Sequence, residues 1–392
     1  MNRLGNLHNR ASFLNLIMWR KTMRKRFFQI ATVSIITCMT LTSCTSRNNN
    51  ISSSYKEKEK KFKIGIVMGK TEIHDKGFNQ AVWDGIKKTG KKHNWKENKN
   101  YVKTDAPSDK DAKKELTKYA KKKYDLIFGI GYSFQKAIEE IASKEDKSDF
   151  VIVDGIVEKP NVVSITYREE QSAFLAGIAA AMNTKTHKIG FVGGTKDPFI
   201  KRFEYGFKAG VMSVDPKIKV KTKFANSFDK PEEGSKLAKS LYGEDVDIIF
   251  QVAGKTGLGV FTEAKKLKKS GKKVWVIGVD RDQYKEGLPE NVTLTSAIKR
   301  IDKGVDEVIT KKLKGNFQGG RILRWGIKEN GVGLSKNKKN LNKDTVKQVN
   351  LYQANIRTGH IDVPENKEDF DNFSPVKPEK GEIKKKKVKI GK

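Results

Sequence analysis

Two aspartates stand at the ends of apolar segments, where parallel strands would present them to a ligand. Asp154 closes "FVIVD" and Asp280 closes "VIGVD". A carboxylate in such a position either caps the next turn or accepts hydrogen bonds from the hydroxyl groups of a sugar. Lys299 ends "TLTSAIK" and would donate to the same sugar, although it is also one lysine among very many. The three residues together predict a site for a polyol.

Two phenylalanines offer a flat apolar surface for the same site. Phe78 begins a helical pattern after the loop that follows "FKIGIVMG" (62–69), so its ring either packs on the strand below or stacks on a ligand. Phe250 lies within "IIFQV", where a core position is the simpler interpretation, but the nearby end of the strand leaves a position in a cleft open.

The glycine-rich segment "VAGKTGLG" (252–259) does not match a nucleotide-binding motif. A phosphate-binding loop needs a glycine five residues before Gly254, where this chain has Ile249. A dinucleotide fingerprint needs G-x-G-x-x-G, which is also missing here. We therefore expect a strand-to-helix turn at which Gly254 lets a ligand approach backbone N–H groups.

Metal and covalent chemistry are not expected. The two cysteines, Cys38 and Cys44, both lie near the N-terminus, and the five histidines show no spacing typical of metal ligands. No G-x-S-x-G elbow or cysteine–histidine pairing indicates a hydrolase. The sequence predicts a protein that is not an enzyme and that needs no metal or cofactor.

The N-terminal region has the pattern of a bacterial lipoprotein signal. The segment "MRKRFFQIATVSIITCMTLTSC" (23–44) joins a basic start to a short apolar stretch and ends at Cys44. We expect residues 1–43 to be an upstream extension and signal peptide, with Met23 as a plausible start. Cys44 would carry the lipid and residues 44–61 would be a polar tether, so the protein would be anchored on the outer side of the cytoplasmic membrane.

The formal net charge of +34 is spread over the chain. Residues 1–43 contain seven Lys/Arg and no Asp/Glu, and residues 375–392 contain eight Lys and two Glu. The remaining lysines are spread over most of the predicted helices and are not clustered with aromatic residues on one element. This distribution favours a surface beside anionic lipid or wall polymer over nucleic acid, and residues 366–392 are expected to be a disordered basic tail.

From residue 62 onward, apolar β-branched segments alternate with helical patterns, as in parallel α/β folds. The predicted strands are 63–69, 101–106, 125–131, 149–155, 188–194, 218–225, 246–254, 273–280 and 292–299. The predicted helices include 78–91, 133–143, 169–182, 199–213 and 256–269. In doubly wound sheets, ligands bind beyond the carboxyl ends of the strands.

Several of these segments repeat. Ile64, Gly65, Val67, Gly69, Phe78 and Gly85 recur 125 residues later as Ile189, Gly190, Val192, Gly194, Phe203 and Gly210. Asp154 and Asp280 are related by a similar offset. We therefore predict two similar lobes with a cleft between them. The first would span 62–166, completed by about 292–318, and the second 167–291, completed by about 319–365.

Longer segments resemble the basic membrane protein family of lipid-anchored purine nucleoside receptors. They include "DKGFNQAVWDGI", "DIIFQVAGKTGLGVFTEAKK" and "VWVIGVDRDQY", and the resemblance covers about residues 62–330. It implies a type I periplasmic binding protein with two Rossmann-like lobes that close on a nucleoside. It also implies an ABC permease and ATPase as partners of a monomeric receptor.

The resemblance also implies roles for single residues. Phe78 and Phe250 would stack on the base, with Asn79 beside the first of them. The ribose would be held by Asp154, Asp280 and Lys299. Some relatives have an acidic residue that reads the base edge after the first strand, where this chain has Gly69. Two alternatives stay open: a surface lipoprotein that binds host matrix or an anionic polymer, and a membrane-tethered regulator on the same fold.

Overall fold

A computed structural model describes residues 59–69 and 73–379 of the chain. The predicted signal peptide, Cys44, the tether up to residue 58 and residues 380–392 of the basic tail lie outside these residues. In the described part, no helix combines the length and the apolar character that a membrane crossing requires.

Strands and helices alternate along the described chain, as the sequence pattern predicts. The strands are β1 Ile64–Met68, β2 Tyr101–Asp105, β3 Leu126–Ile130, β4 Phe150–Val153, β5 Val162–Tyr167, β6 Lys188–Gly193, β7 Lys219–Phe224, β8 Ile248–Val252, β9 Trp275–Asp280, β10 Thr293–Lys299, β11 Ile322–Trp325 and β12 Val332–Leu334. The helices are α1 Phe78–Lys92, α2 Asp109–Lys121, α3 Gln135–Lys144, α4 Glu169–Asn183, α5 Pro198–Val214, α6 Pro231–Gly243, α7 Gly257–Lys269, α8 Ile301–Leu313, α9 Lys343–Thr358 and α10 Lys367–Asp371. All nine predicted strands are present, and β5, β11 and β12 are additional.

The strands form two six-stranded sheets of the same design. The first has the order β2-β1-β3-β4-β5-β11 and the second β7-β6-β8-β9-β10-β12. Pairing is parallel throughout the first sheet, and in the second only β12 pairs antiparallel, with β10. The first lobe is built on the first sheet and the second lobe on the second, which confirms the two-lobed α/β fold and explains the repeat in the sequence.

The segments that complete each lobe differ from the prediction. Residues 292–299 were expected in the first lobe, but β10 pairs with β9, with Ile298 opposite Asp280. Residues 322–325 were expected in the second lobe, but β11 pairs with β5. The reason is the repeat itself: β10 is the fifth strand of its sheet as β5 is of the other, and the chain leaves each lobe only after that strand.

The chain crosses between the lobes three times, after β5, after β10 and between β11 and β12. The crossings lie side by side and are joined by backbone hydrogen bonds. The N–H of Arg168 donates to the carbonyl of Trp325 at 2.9 Å, and the N–H of Arg300 donates to that of Gly331 at 2.8 Å. These three segments form the hinge.

A repeated glycine explains how each crossing helix packs. After the first crossing, α4 packs on α5 in the second lobe, and after the second crossing, α8 packs on α1 in the first. A Cβ at Gly210 would lie 2.1 Å from the carbonyl oxygen of Phe174, and one at Gly85 would lie 2.8 Å from the Cα of Asp302. Both contacts require glycine, so the Gly85–Gly210 match in the sequence reflects helix packing.

The segment expected to begin the disordered tail is partly folded. The ring of Phe370 in α10 lies 5.6 Å from that of Tyr205, and the ring of Phe373 lies 6.4 Å from that of Phe174. The backbone N–H of Glu379 donates to the side chain of Asn355 at 3.2 Å. Residues 366–379 therefore pack on the second lobe, because the two aromatic rings anchor an otherwise polar segment.

Candidate functional site

A cavity of about 270 Å³ lies between the lobes, at the carboxyl ends of the strands. Its walls include six of the predicted site residues: Phe78, Asn79, Asp154, Gly254, Asp280 and Lys299. Gly69, which follows β1, also lines it. The volume is close to the lower end of the range for small-molecule pockets, roughly 300–1,000 Å³.

Phe78 is fixed in place by the start of α1. The carboxylate of Asp75 accepts hydrogen bonds from the backbone N–H groups of Gly77, Asn79 and Gln80 at 2.9, 2.9 and 3.1 Å. These groups have no partner within the helix, so the aspartate satisfies them. The ring of Phe78 is partly buried at the first residue of α1 and lines the cavity.

Asp154 and Asp280 occupy equivalent positions with the same uncommon backbone. Asp154 follows β4 with φ 57°, and Asp280 ends β9 with φ 63°. Residues other than glycine seldom adopt this left-handed conformation, and where it occurs it often marks a functional position. In both lobes it turns the carboxylate toward the cavity.

Lys299 joins the two aspartates. Its Nζ lies 2.5 Å from Oδ2 of Asp154 and 3.9 Å from Oδ1 of Asp280, and only 5% of its side chain is exposed. Burial acts to lower the pKa of Lys299, but the carboxylates of Asp154 and Asp280 outweigh it and raise that pKa above its usual value. The ammonium group of Lys299 therefore stays charged and links a carboxylate of the first lobe to a carboxylate of the second.

Each aspartate keeps an oxygen available for a ligand. Among the described residues, Oδ1 of Asp154 and Oδ1 of Asp280 are buried and accept no hydrogen bond. Burial raises the pKa of Asp280 to about 7, with Lys299 opposing the rise and Asp154 adding to it. A buried acceptor without a partner is costly, so these oxygens are suited to hydroxyl groups brought in by a ligand.

The cavity wall also contains aromatic rings, and Nζ of Lys299 lies 5.4 Å from the ring centroids of Phe78 and of Phe203. The aromatic rings belong to Phe78, Tyr132, Phe199, Phe203 and Phe228. The rings of Tyr132 and Phe199 come from different lobes and are stacked, with centroids 5.4 Å apart and planes inclined by 10°. A Cβ at Gly194 would lie 2.2 Å from the ring of Phe228, so the glycine after β6 makes room for that ring.

Phe250 does not line the cavity, contrary to the expectation from the sequence. Its side chain is fully buried in the core of the second lobe. The ring lies 5.0 Å from that of Phe207, 5.7 Å from that of Phe191 and 6.3 Å from that of Phe203. The side chain therefore packs against α5 and the neighbouring core, and not toward the cavity.

Among the cavity residues that the sequence did not indicate as site residues are Glu169, Phe199, Phe203 and Phe228. Phe203 is the repeat partner of Phe78, so the repeat alone could have identified it. Glu169 is the first residue of α4, and burial raises the pKa of its carboxyl, with Lys299 opposing the rise. No signal in the sequence marks Phe199, since it reaches the cavity only through contact between the lobes.

Besides the ion pair of Lys299 with Asp154 and the stacked rings of Tyr132 and Phe199, further contacts join the lobes around the cavity. The hydroxyl of Tyr132 donates to Oδ2 of Asp197 at 2.9 Å. The guanidinium of Arg281 lies 2.9 Å from the carboxylate of Asp84. The side chain of Gln283 donates to the carbonyl of Lys76 at 3.0 Å. The structure is therefore a closed form.

Comparison with known proteins identifies the family. The family model described as "ABC transporter substrate-binding protein PnrA-like" matches residues 46–367. The "CD4+ T-cell-stimulating antigen" of Listeria innocua is 41% identical, over 88% of this chain and 99% of its own. The "ABC transporter nucleoside-binding protein BmpA" of Lactococcus lactis is 37% identical, over 87% and 99%. "Basic membrane protein A" of Borreliella burgdorferi is 32% identical, over 79% and 90%.

A solved structure supports the same conclusion about the fold. A solute-binding protein of an ABC transporter system from Aeropyrum pernix superposes with a TM-score of 0.71 at 22% identity, covering 79% of this chain and 96% of its own. At that identity the likeness concerns the fold alone, which is that of type I periplasmic binding proteins. With this fold, and with the family model and relatives above, the chain belongs to the basic membrane protein family of PnrA-like ABC transporter substrate-binding proteins.

Proposed function

We propose that this protein is a lipid-anchored receptor that binds nucleosides, with purine nucleosides expected, and delivers them to the permease and ATPase of an ABC importer. The observation that carries the proposal is the combination, in one cavity wall, of aromatic rings with hydrogen-bonding groups. A nucleoside has the same combination, since its base is flat and largely apolar and its ribose carries hydroxyl groups.

In this proposal the base stacks on Phe78, with Phe203 or Phe228 opposite. Stacking of a base on an aromatic side chain contributes roughly 1–3 kcal/mol. Asn79 follows Phe78 and supplies an amide toward the base, in the region where Gly69 contributes no side chain. The name of the Lactococcus lactis relative, a nucleoside-binding protein, supports this assignment.

The ribose lies against the hydrogen-bonding groups of the cavity. The free oxygens of Asp154 and Asp280 accept hydrogen bonds from its hydroxyl groups, and Lys299 donates to it. Gly254 has φ 55° and lines the cavity without a side chain, which leaves room for the sugar. Since the two aspartates belong to different lobes, a bound ribose stabilises the closed form.

The anchor is the second part of the proposal. Cys44 carries the lipid and becomes the N-terminus of the mature protein, outside the cytoplasmic membrane. The sequence "LTSC" after a basic and apolar segment supports it, and several relatives are named basic membrane proteins. The receptor acts as a monomer that the importer's permease meets on the outer side of the membrane.

Calorimetric titration of the mature chain tests the ligand. We expect guanosine, inosine and adenosine to bind tightly, and free ribose and D-allose to bind weakly or not at all, because these sugars carry no base to stack on the aromatic rings. Asp280→Ala should reduce the ratio between the affinity for guanosine and the affinity for guanine. Asp282→Ala is the matched control, since Asp282 is exposed, lies two residues away and does not line the cavity.

The proposal fails if no nucleoside binds while a free sugar does, because the aromatic rings would then have no ligand group to contact. It also fails if Asp280→Ala remains folded and binds guanosine as the wild type does.

A further inference from the structure

Six lysines surround a depression of about 550 Å³ on the first lobe. They are Lys60, Lys61, Lys63, Lys99, Lys122 and Lys123, and we call them the lysine surface. All six are exposed. Asn100 and Asp125 complete the wall of the depression, so six positive charges face a single carboxylate.

The lysine surface gathers its charges around one depression, and most of them are not compensated by a carboxylate. Several other lysines pair with acidic side chains: Lys113 lies 2.6 Å from Glu140, and Lys221 lies 2.6 Å from Glu244. Within the described residues, by contrast, no ion pair to a carboxylate is formed by Lys60, Lys63, Lys99, Lys122 or Lys123. The carboxylate of Asp125 accepts a hydrogen bond from the backbone N–H of Lys63 at 2.8 Å. The ammonium groups of these five lysines are therefore available to an anionic partner.

The chain enters the fold at the rim of this surface. The indole N–H of Trp95 donates to the carbonyl of Glu59 at 2.8 Å, and the side chain of Asn100 donates to those of Lys60 and Phe62, each at 3.0 Å. Cys44 lies fifteen residues before Glu59, and a chain of that length spans at most about 50 Å. A lipid on Cys44 would therefore keep the rim of the lysine surface within about 50 Å of the bilayer, where it can reach the headgroups.

The lysine surface and the cavity lie at opposite ends of the first sheet. Lys63, Lys99 and Lys123 precede β1, β2 and β3, whereas the cavity lies beyond the carboxyl ends of these strands. Five residues of strand separate the two by about 17 Å. A flat partner can thus cover the lysine surface and leave the cavity open.

We propose that the lysine surface binds the anionic phospholipid headgroups of the membrane in which Cys44 is anchored. The inference rests on the anchoring part of the proposed function, because the attraction of lysines to an anionic bilayer falls off within a Debye length, about 8 Å at physiological ionic strength. Binding holds the first lobe against the bilayer by the edge opposite the cavity. The receptor is thereby oriented as well as tethered.

Vesicle sedimentation of residues 59–379 tests the proposal. This part has its own continuous core and lacks both Cys44 and the lysines after residue 379. We expect it to bind vesicles that contain phosphatidylglycerol, to bind pure phosphatidylcholine vesicles poorly, and to dissociate as salt is raised. The triple variant Lys60→Gln, Lys63→Gln, Lys123→Gln should bind on the order of 100-fold more weakly, at about fivefold for each lysine.

A matched control removes three exposed lysines at the same end of the second sheet, through Lys217→Gln, Lys219→Gln and Lys272→Gln. It should change vesicle binding less than about threefold, and both triple variants should keep wild-type affinity for guanosine. Equal loss in the two triple variants would overturn the proposal, since net charge alone would explain it. So would a lack of preference for phosphatidylglycerol, or soluble poly(glycerol phosphate) binding as tightly as vesicles. These results do not depend on whether Cys44 carries a lipid. Membrane fractionation of a Cys44→Ala variant tests the lipid anchor separately.

Discussion

The sequence assigns Phe78 and Phe250 the same stacking role, but their replacement by alanine should affect different properties of the protein. Phe78 lines the cavity and is only partly buried, whereas Phe250 is fully buried among three aromatic rings. Phe78→Ala should therefore weaken nucleoside binding and leave the fold nearly as stable as before. Phe250→Ala should unfold more easily and keep most of its affinity for guanosine.

The magnitudes follow from the surroundings of each ring. Loss of stacking at Phe78 should cost about 1–3 kcal/mol of binding, which is roughly 5- to 150-fold in Kd. Its effect on the free energy of unfolding should stay within about 1 kcal/mol. Removing a fully buried phenylalanine such as Phe250 costs about 3–5 kcal/mol of stability. For a protein of this size the Tm should fall by about 4–8 °C.

Thermal unfolding and calorimetric titration with guanosine measure both effects on the same samples. Phe250→Leu serves as a milder control, since it keeps an apolar side chain in the core and should lie between the wild type and Phe250→Ala in stability. The reasoning is refuted if Phe250→Ala keeps the wild-type Tm and loses affinity. It is also refuted if Phe78→Ala binds guanosine as tightly as the wild type.

Three further changes probe the rest of the proposed site and the anchor. Because burial raises the pKa of Asp280 to about 7, its contribution to the stability of the empty protein is present at acidic pH and is lost as pH rises through about 7. The carboxylate form is the better acceptor for ribose, so guanosine affinity should rise between about pH 5.5 and 8, and calorimetry should find this rise absent in Asp280→Asn. Tyr132→Phe removes the hydrogen bond to Asp197 across the lobes. Since a hydrogen bond to a charged group contributes about 1.5–3 kcal/mol, guanosine release should become faster by on the order of tenfold in stopped-flow measurements. An unchanged release rate would show that this bond does not hold the cleft closed. Cys44→Ala should release or misprocess the protein in membrane fractionation, and retention like the wild type would contradict the lipid anchor.

Apolar β-branched segments were enough to predict nine of the strands and the two-lobed fold. One strand that the sequence did not reveal joins a sheet far from its neighbours in the chain. β11 is only four residues long and pairs with β5, which ends about 150 residues earlier. Local patterns cannot predict such a pairing, so β11 was assigned to the wrong sheet.

The polar residues of the cavity were easier to predict than the aromatic ones. Asp154, Asp280 and Lys299 stand at strand ends, and topology alone brings strand ends together. Phe250 is two residues from the end of β8, but nearness to an end does not say which face of the sheet a side chain occupies. Phe199 and Tyr132 meet only when the lobes close, which no local pattern encodes.

The three crossings of the hinge also affect how the chain can fold as it is synthesised from its N-terminus. When residue 167 has been made, the first sheet has five of its strands, but β5 still forms an open edge, and α1 still lacks the helix that covers it at Gly85. The helix that covers α1 is α8, and the strand that pairs with β5 is β11. Both are synthesised only after every strand of the second sheet except β12. An unpaired strand edge favours association with other chains. The first lobe therefore passes through a period in which it depends on late segments or on chaperones, and no single cut in the gene separates the two lobes into independently folding halves.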